Sequence, residues 1–297
     1  MKNRLIKTLN IKRFKLVLLL EGLLVGILAG LVIVGYRICL TNGALWLQRI
    51  LAYCKQSIFT IIIWFVILFV IALVVTKLLD WESLISGSGI PQLEGELAGK
   101  IDAKWWRVLI AKFFGGFLAN FSGLALGREG PSIQLGAMVG KGIGKVLKRG
   151  KTEERYLLTC GASAGLAAAF HAPLAGVMFA LEEVHKHFSA PLLISVMTSS
   201  IAADYLMSSI LGMAPVFSFN IHGTLPTQYY WMVIILGIIL GLLGAFYNKA
   251  LLFVQSLYNH SKHLNNYTKL LIPFILAGIL GFTVPQLLGS GDTLVDL

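Results

Sequence analysis

The segment that decides the fold is Gly127-Arg128-Glu129-Gly130-Pro131, because it places two adjacent charges inside an otherwise apolar region. Residues 113–126 before it and residues 130–140 after it carry no charged side chain. Charged residues within a membrane span are energetically costly, so they usually face protein or a water-filled cavity. A functional site is therefore expected at this segment.

The glycines and the proline predict that a helix begins at Pro131, with Glu129 just before its N-terminus. Gly127 and Gly130 permit unusual backbone angles, and a proline at the first helical position loses no hydrogen bond. The free amides and the positive end of the helix dipole favour an anion there, either the Glu129 carboxylate or a small anion that replaces it. The structural alternative is that Glu129 caps the helix and pairs with Arg128.

The composition is that of an integral membrane protein. Of 297 residues, 57% are hydrophobic and 13% are charged, and the mean hydropathy is +0.79, far more apolar than a soluble domain. Uncharged windows at residues 57–76, 223–248 and 270–291 are each long enough for a spanning helix of about 20 residues. The apolar run at 16–36 is interpreted as a retained helix and not as a signal peptide. We therefore predict an all-α polytopic membrane protein, with one transmembrane domain over residues 1–297.

Basic residues account for the net charge of +11, and they cluster at residues 2–15 and 141–155. The second cluster comprises Lys141, Lys145, Lys148, Arg149, Lys151 and Arg155. Basic clusters beside spans mark cytoplasmic faces and contact lipid head groups. The expected partner is thus the lipid bilayer and not nucleic acid, and residues 1–13 are predicted to form a basic cytoplasmic N-terminal segment. The three cysteines show no metal-binding spacing, so no metal site is expected.

Hydrophobic patterning predicts helices of unequal length. Their ranges are 14–38, 57–79, 104–121, 131–147, 155–169, 174–187, 191–211, 229–257 and 268–288. The helices at 155–169 and 174–187 are too short to cross a hydrocarbon core of about 30 Å, and His171-Ala172-Pro173 interrupts them. Broken helices of this kind persist in a bilayer where their ends are buried in protein or line a cavity, as in transporters.

A second break is predicted at Gly87-Ser88-Gly89-Ile90-Pro91, ahead of a short helix at residues 92–99. The two glycines and the proline can expose a hydroxyl and several amides at the helix start, which makes a second anion-ready terminus without a fixed negative charge. The alternative is a plain flexible Gly-Ser-Gly loop. Nearby Lys112 could neutralise charge near the anion site or form a pair, and structural pairing is the expected role for both Lys112 and Glu94.

These two segments, followed by the run from Gly165 to Gly176, resemble the signature segments of the CLC family of chloride channels and proton-coupled chloride antiporters, in the same order and spacing. The resemblance implies a CLC-type fold of broken and tilted helices, built as an inverted repeat whose helix ends converge on chloride. It also implies a homodimer in which each subunit has its own pore, in a bacterial plasma membrane. No cofactor is expected, only chloride and protons as transported ions.

The resemblance assigns a role to three residues. The family's central-site serine falls on Ser88, the external gating glutamate on Glu129, and the internal proton-transferring glutamate on Glu183. Glu183 favours antiport over a passive channel, although Glu182 and Glu183 could instead form a solvated helix end beside Lys186. The expected anion-binding residues are Gly87, Ser88, Gly89, Ile90, Pro91, Gly127, Arg128, Glu129, Gly130 and Pro131.

The sequence also departs from the family. The Gly-x-Phe-x-Pro segment and the pore tyrosine of the family's second half are absent. We therefore expect the N-terminal two thirds of a subunit, with the C-terminal part of the second repeat missing, and a chain without autonomous transport stays an alternative. His171 replaces the asparagine common at its position, and no function is assigned to it.

A rival interpretation from another class is an intramembrane serine hydrolase. Gly161-Ala162-Ser163-Ala164-Gly165 fits the Gly-x-Ser-x-Gly pattern, but that motif requires a strand before its serine. Small residues at this spacing within a membrane helix are more simply explained by tight helix packing.

Overall fold

The computed structural model describes residues 2–213, 226–260 and 265–289, with side chains from Lys15 onward except that of Asn259. Three sequence expectations therefore fall wholly or partly outside the described residues. They concern the basic side chains of residues 2–13, the start of the apolar window at 223–248, and the last residues from 290 to 297.

The three described ranges contain helices and no strand. The α-helices are α1 (Lys2–Cys54), α2 (Ile58–Trp81), α3 (Ile90–Leu97), α4 (Trp105–Phe121), α5 (Glu129–Val146), α6 (Lys151–Phe170), α7 (Pro173–Phe179), α8 (Ala190–Leu211), α9 (Tyr230–His260) and α10 (Asn266–Thr283). Short 3₁₀ turns lie at Ser83–Ile85, Thr227–Tyr229 and Pro285–Leu287, and a π-helix, Ala180–His185, continues α7.

Within the described ranges, five helices are long and apolar enough to cross a membrane. The protein is an integral multi-pass membrane protein. The apolar stretches are Lys15–Cys54, Ile58–Trp81, Ala190–Leu211, Thr227–Tyr258 and Asn266–Thr283. None of the described side chains of α9 is buried. Because α9 is almost wholly apolar, its surface requires lipid or another protein surface around it.

The first helix is longer than the sequence predicts. The expected end at residue 38 is wrong, because α1 continues without a break for 53 residues, which corresponds to about 80 Å at 1.5 Å per residue. Gly43 lies within this continuation, and a Cβ at this position would lie 3.0 Å from the Phe117 ring of α4. The glycine thus serves close packing between two helices and does not end α1.

The helix α6 also differs from its prediction. It has 20 residues, or about 30 Å, instead of the 15 predicted, but its first turn carries charged side chains and it is not among the five described helices that are long and apolar enough to cross a membrane. Its start lies earlier because the Glu153 carboxylate accepts a hydrogen bond from the Gly150 amide, at 3.2 Å. The predicted interruption at 171–173 is confirmed, since His171 has φ of 53° and ends α6, and α7 begins at Pro173.

The most extensive packing in the described chain joins α5 to α6 through glycines. A Cβ on Gly161 would lie 2.0 Å from the Gly136 carbonyl oxygen, and a Cβ on Gly165 would lie 2.2 Å from that of Ser132. Tight helix packing is therefore confirmed for residues 161–165. Ser163 lies inside α6, so the strand-turn-helix geometry of a hydrolase nucleophile is not formed there.

Lys141 is fully buried and does not face lipid head groups, contrary to the sequence expectation. Its Nζ contacts the Glu96 carboxylate in a close ion pair and donates to Asp102 Oδ1 and to the Ala103 carbonyl oxygen, each at 2.7 Å. These bonds join α5 to α3 and to the loop after it. The ammonium group holds the pKa of Asp102 below its ordinary value, so this contribution to stability is complete at neutral pH and is lost as the pH falls below about 4.

We expect Lys141→Met to lower the free energy of unfolding by about 3–5 kcal/mol, because it leaves the buried Glu96 carboxylate unpaired. The measurement is chemical unfolding of the purified protein in detergent. A matched control is Lys145→Met, since Lys145 pairs with Glu154 while half-exposed, and such pairs contribute about 0–1 kcal/mol. The further change Glu96→Gln should restore most of the loss. Equal effects of the two lysine variants would contradict the burial argument.

Candidate anion-binding site

The loop before α3 presents Ser88 between two glycines in the left-handed region. The angle φ is 70° at Gly87 and 96° at Gly89, values that residues with a side chain rarely adopt. Gly89 is the N-cap of α3, so this helix begins two residues before the predicted start. Ser88 is exposed, and its Oγ accepts a hydrogen bond from the Ile90 amide at 3.3 Å. The hydroxyl proton therefore remains available for donation to a ligand.

Glu129 is the first residue of α5, with Arg128 as the N-cap, so the predicted helix start at Pro131 is two residues late. The helix extends back through Gly130 because glycine has no Cβ to clash with the proline ring. Pro131 still lies within the first turn, where amides have no partner in the helix. The half-buried Glu129 carboxylate folds back over Gly127, with Oε2 2.7 Å from where a Cβ on that glycine would stand.

The two predicted segments lie against each other. A Cβ on Gly130 would be 2.6 Å from the Ser88 carbonyl oxygen and 3.0 Å from the Ser88 Cβ, so only glycine permits this approach. The N-termini of α3 and α5 are thereby adjacent, and their free amides and positive dipole ends create a region that favours an anion. The role of the residues from Gly87 to Pro91 and from Gly127 to Pro131 in binding stays a prediction.

A buried lysine of α4 supports the Ser88 loop. The Lys112 Nζ donates to the carbonyl oxygens of Ile85 and Gly87, at 2.8 and 2.7 Å. The expected pairing of Lys112 with an acidic residue is therefore wrong, because its bonds in the described structure are to backbone. Its positive charge adds to that of the two helix termini. Glu94 does form the expected pair, with Lys186 at 3.3 Å.

Gln134 also holds this loop, and the sequence reasoning did not identify it. Its Nε2 donates to the Leu84 carbonyl oxygen at 2.9 Å, and its Oε1 lies 2.5 Å from where a Cβ on Gly89 would stand. The bond connects α5, which carries Glu129, directly to the loop that carries Ser88. The available signal was that Gln134 is one of two polar side chains in the stretch 130–140.

Glu183 lies apart from this site, on the π-helix that follows α7. A regular helix was predicted over 174–187, but the α-helical part ends at Phe179. Glu182 and Glu183 are both exposed, and neither forms a hydrogen bond or ion pair within the described part of the chain. The π-helix packs against α3, and π-turns are frequent at functional sites.

His171 has a structural environment at the end of α6. Its Nε2 lies 3.0 Å from an Arg37 guanidinium nitrogen, and its Nδ1 lies 3.4 Å from Asp204 Oδ1. The imidazole therefore links α1, α6 and α8 at the point where the chain turns into α7. These contacts explain why a hydrogen-bonding residue is needed there.

A sequence model of the voltage gated chloride channel family matches residues 69–297, which is most of the chain. The chain belongs to this family. It is the CLC family that the three signature segments resemble.

Two bacterial relatives are similar over much of this CLC chain. The H⁺/Cl⁻ exchange transporter ClcA of Vibrio parahaemolyticus is 38% identical over 71% of the chain and 46% of its own length. ClcA of Citrobacter koseri, an H⁺/Cl⁻ exchange transporter too, is 33% identical over 95% of the chain and 61% of its own length. The chain thus spans about half to three fifths of these relatives.

Solved structures confirm the predicted all-helical CLC-type fold. A slow cyanobacterial Cl⁻/H⁺ antiporter superimposes with a TM-score of 0.83 at 31% identity, covering 93% of this chain and 66% of the antiporter. A eukaryotic CLC transporter gives a TM-score of 0.72 at 22% identity, over 91% and 50% of the two chains. The second similarity concerns the fold alone.

We expect Gln134→Leu to loosen the Ser88 loop, because the Leu84 carbonyl loses its partner, at a cost of about 1–3 kcal/mol. The measurement is hydrogen–deuterium exchange of the peptide spanning residues 84–90, which should exchange faster than in the unmodified protein. The control is Gln48→Leu on the exposed face of α1, which should leave this peptide unchanged. Unaltered exchange in Gln134→Leu would mean that Lys112 alone holds the loop.

Proposed function

We propose that this CLC chain takes part in proton-coupled chloride antiport, with chloride held between the N-termini of α3 and α5 and Glu129 as the gate. The observation that carries the proposal is the contact of Gly130 with Ser88, which places two anion-favouring helix ends side by side. The two ClcA relatives are H⁺/Cl⁻ exchange transporters, and this supports the same activity here. The Ser88 hydroxyl and the first amides of both helices are the proposed donors to chloride.

The mechanism is competition between a carboxylate and chloride. When Glu129 is ionised, its negative charge is favoured at the α5 N-terminus, and it excludes a second anion from the same place. Protonation removes this charge, so the side chain leaves and chloride enters; the reverse step releases the proton. Two features support such movement. No hydrogen bond or ion pair holds the Glu129 carboxylate within the described structure, and Gly127 leaves space beside it.

Glu183 is the proposed internal proton acceptor. Its exposed position on the π-helix supports direct proton exchange with water, and the π-helix packs on α3, whose N-terminus belongs to the proposed chloride site. Lys186 pairs with Glu94 and so does not neutralise Glu183. A passive chloride channel is the alternative, and it differs in having no proton movement through Glu183.

The proposed environment is a bacterial plasma membrane with the N-terminus in the cytoplasm. Arg149 bonds Glu21 at 2.6 Å, which brings the turn between α5 and α6 to a point of α1 six residues after Lys15. The second basic cluster thus adjoins the part of α1 that follows the N-terminal cluster in the sequence, which supports a common cytoplasmic face. We also propose a homodimer, and the exposed apolar surface of α9 supports further protein or lipid contacts. The transport cycle requires chloride and protons and no bound cofactor.

Replacing Glu129 by Gln should uncouple chloride movement from protons, since glutamine mimics the protonated carboxyl and cannot titrate. In liposomes containing the protein, a pH gradient should no longer drive chloride uptake, while chloride efflux down its own gradient persists. The control is Asp80→Asn, an exposed carboxylate at the end of α2, which should transport normally. Undiminished proton-driven uptake in Glu129→Gln would rule out this gate.

Replacing Glu183 by Val should abolish proton movement and leave chloride flux intact, because the internal proton acceptor is lost while the anion site is unchanged. The measurement is proton flux with a pH indicator and chloride flux with an electrode in the same liposomes. Glu182→Val is the matched control, an exposed carboxylate on the same π-helix, and should keep coupled transport. Proton flux that survives in Glu183→Val would assign the relay elsewhere.

A further inference from the structure

An apolar groove lies on the outer surface between α1, α4 and α5, away from the proposed chloride site. Its volume is about 320 Å³, within the range of roughly 300–1,000 Å³ typical of small-molecule sites. Almost all of the atoms that line it are apolar. The main contributors are Leu24 and Leu28 of α1, Trp105 and Leu109 of α4, and Val139 and Ile143 of α5.

The groove has a buried floor and exposed walls. Val139 and Ile143 are only 8% and 9% exposed, whereas Leu24 and Leu28 are about 40% exposed. Trp105 lies flat on α5, because a Cβ on Gly142 would be 2.8 Å from its ring. The depression is therefore open sideways, toward the region that lipid chains occupy around a membrane protein, and it offers no polar group that would recognise a polar ligand.

The end of the groove formed by Trp105 and Leu147 is flanked in sequence by two exposed lysines. Lys104 immediately precedes Trp105, and Lys148 immediately follows Leu147. Lys104 is the N-cap of α4, and no side chain caps this helix, so its first amides are available to an anion. Arg149 is bound to Glu21, three residues before Leu24, which places this end beside the polar boundary of α1.

The end of α5 does not offset this positive charge. Its last carbonyl oxygens accept backbone bonds from residues 147–149, at 2.9 to 3.1 Å, so they present little unpaired negative potential. Two acidic residues lie nearby. Glu154 is paired with Lys145 at 3.2 Å, and the exposed Asp102, two residues before Lys104, is paired with Lys141 at 2.7 Å. The two exposed lysines therefore give the apolar groove a net positive end. This combination fits a ligand that is an anionic amphiphile.

We propose that the groove binds an anionic phospholipid, with one acyl chain between α1, α4 and α5 and the phosphate between Lys104, Lys148 and the α4 amides. The acyl chain would pack against the apolar lining, and the phosphate would form ion pairs with both lysines. A bound lipid would join the start of α1 to α4 and α5 and so stabilise the helix that carries Glu129. This inference is independent of the proposed transport, because neither the groove nor its lysines form part of the chloride site.

The test is lipid binding to the full chain in detergent, by native mass spectrometry after incubation with phosphatidylglycerol or phosphatidylcholine. We expect clear preference for phosphatidylglycerol. The double variant Lys104→Gln/Lys148→Gln should weaken phosphatidylglycerol binding by about thirtyfold, since each lysine near an anionic lipid contributes about fivefold. The control Lys55→Gln/Lys77→Gln removes two exposed lysines that do not adjoin the groove, and should bind as the unmodified protein does.

A second variant tests the apolar part without changing charge. Leu28→Trp should fill the groove and reduce phosphatidylglycerol retention, while elution as a single species in size-exclusion chromatography verifies its folding. Equal binding of the two lipids to the unmodified chain would overturn the proposal, as would equal losses in the two lysine double variants. Full retention of phosphatidylglycerol by Leu28→Trp would overturn it as well. The lipid would then bind through its head group alone, or another protein segment would cover the groove.

Discussion

The close contact of α5 with α6 is the constraint on which the rest of the structure depends. Glycines at 136, 140, 161 and 165 bring the two backbones so near that an added Cβ would lie 2.0 to 2.2 Å from a carbonyl oxygen. Such overlap cannot be relieved by a rotamer change, because both sides are backbone. The helix α5 is thereby fixed in position. It carries Glu129 at its first residue, followed by Gln134 and Lys141, whose side chains bond to distant parts of the chain.

The position of α5 also brings positive partial charges close together. The N-termini of α3 and α5 meet where Gly130 contacts Ser88, and two positive dipole ends at short distance repel each other. Lys112 adds another positive charge to the same loop through its bond to the Gly87 carbonyl oxygen. Among the described groups named here, the Glu129 carboxylate carries negative charge. The junction therefore favours an anion, which supports the proposed exchange of the carboxylate with chloride.

The sequence predicts those parts of the structure that local residues determine. Glycine and proline mark the starts of α3 and α5 to within two residues, and the break at His171 is correct, because these signals act within one turn. The errors concern contacts across the chain. Lys141 is buried because Glu96 lies opposite it, 45 residues away, and Gln134 finds its partner 50 residues away. No local pattern encodes such pairings, and the π-helix after α7 has no recognised sequence signal either.

The carboxylates of Glu96 and Glu129 are held by very different interactions within the same fold. Glu96 is clamped by buried Lys141 and also accepts a bond from the Ala103 amide at 2.8 Å, so moving it would break a charged pair in a poorly solvated place. Glu129 is the first residue of α5, the helix that also carries Lys141. It is half-buried and has no bond partner among the described residues. Its interaction is with a helix terminus, an attraction of only about 0.3–1 kcal/mol in exposed settings and up to about 2 in partly buried ones. This attraction is small compared with the bonds that hold Glu96, and the difference supports the proposed exchange of Glu129 with a solute ion.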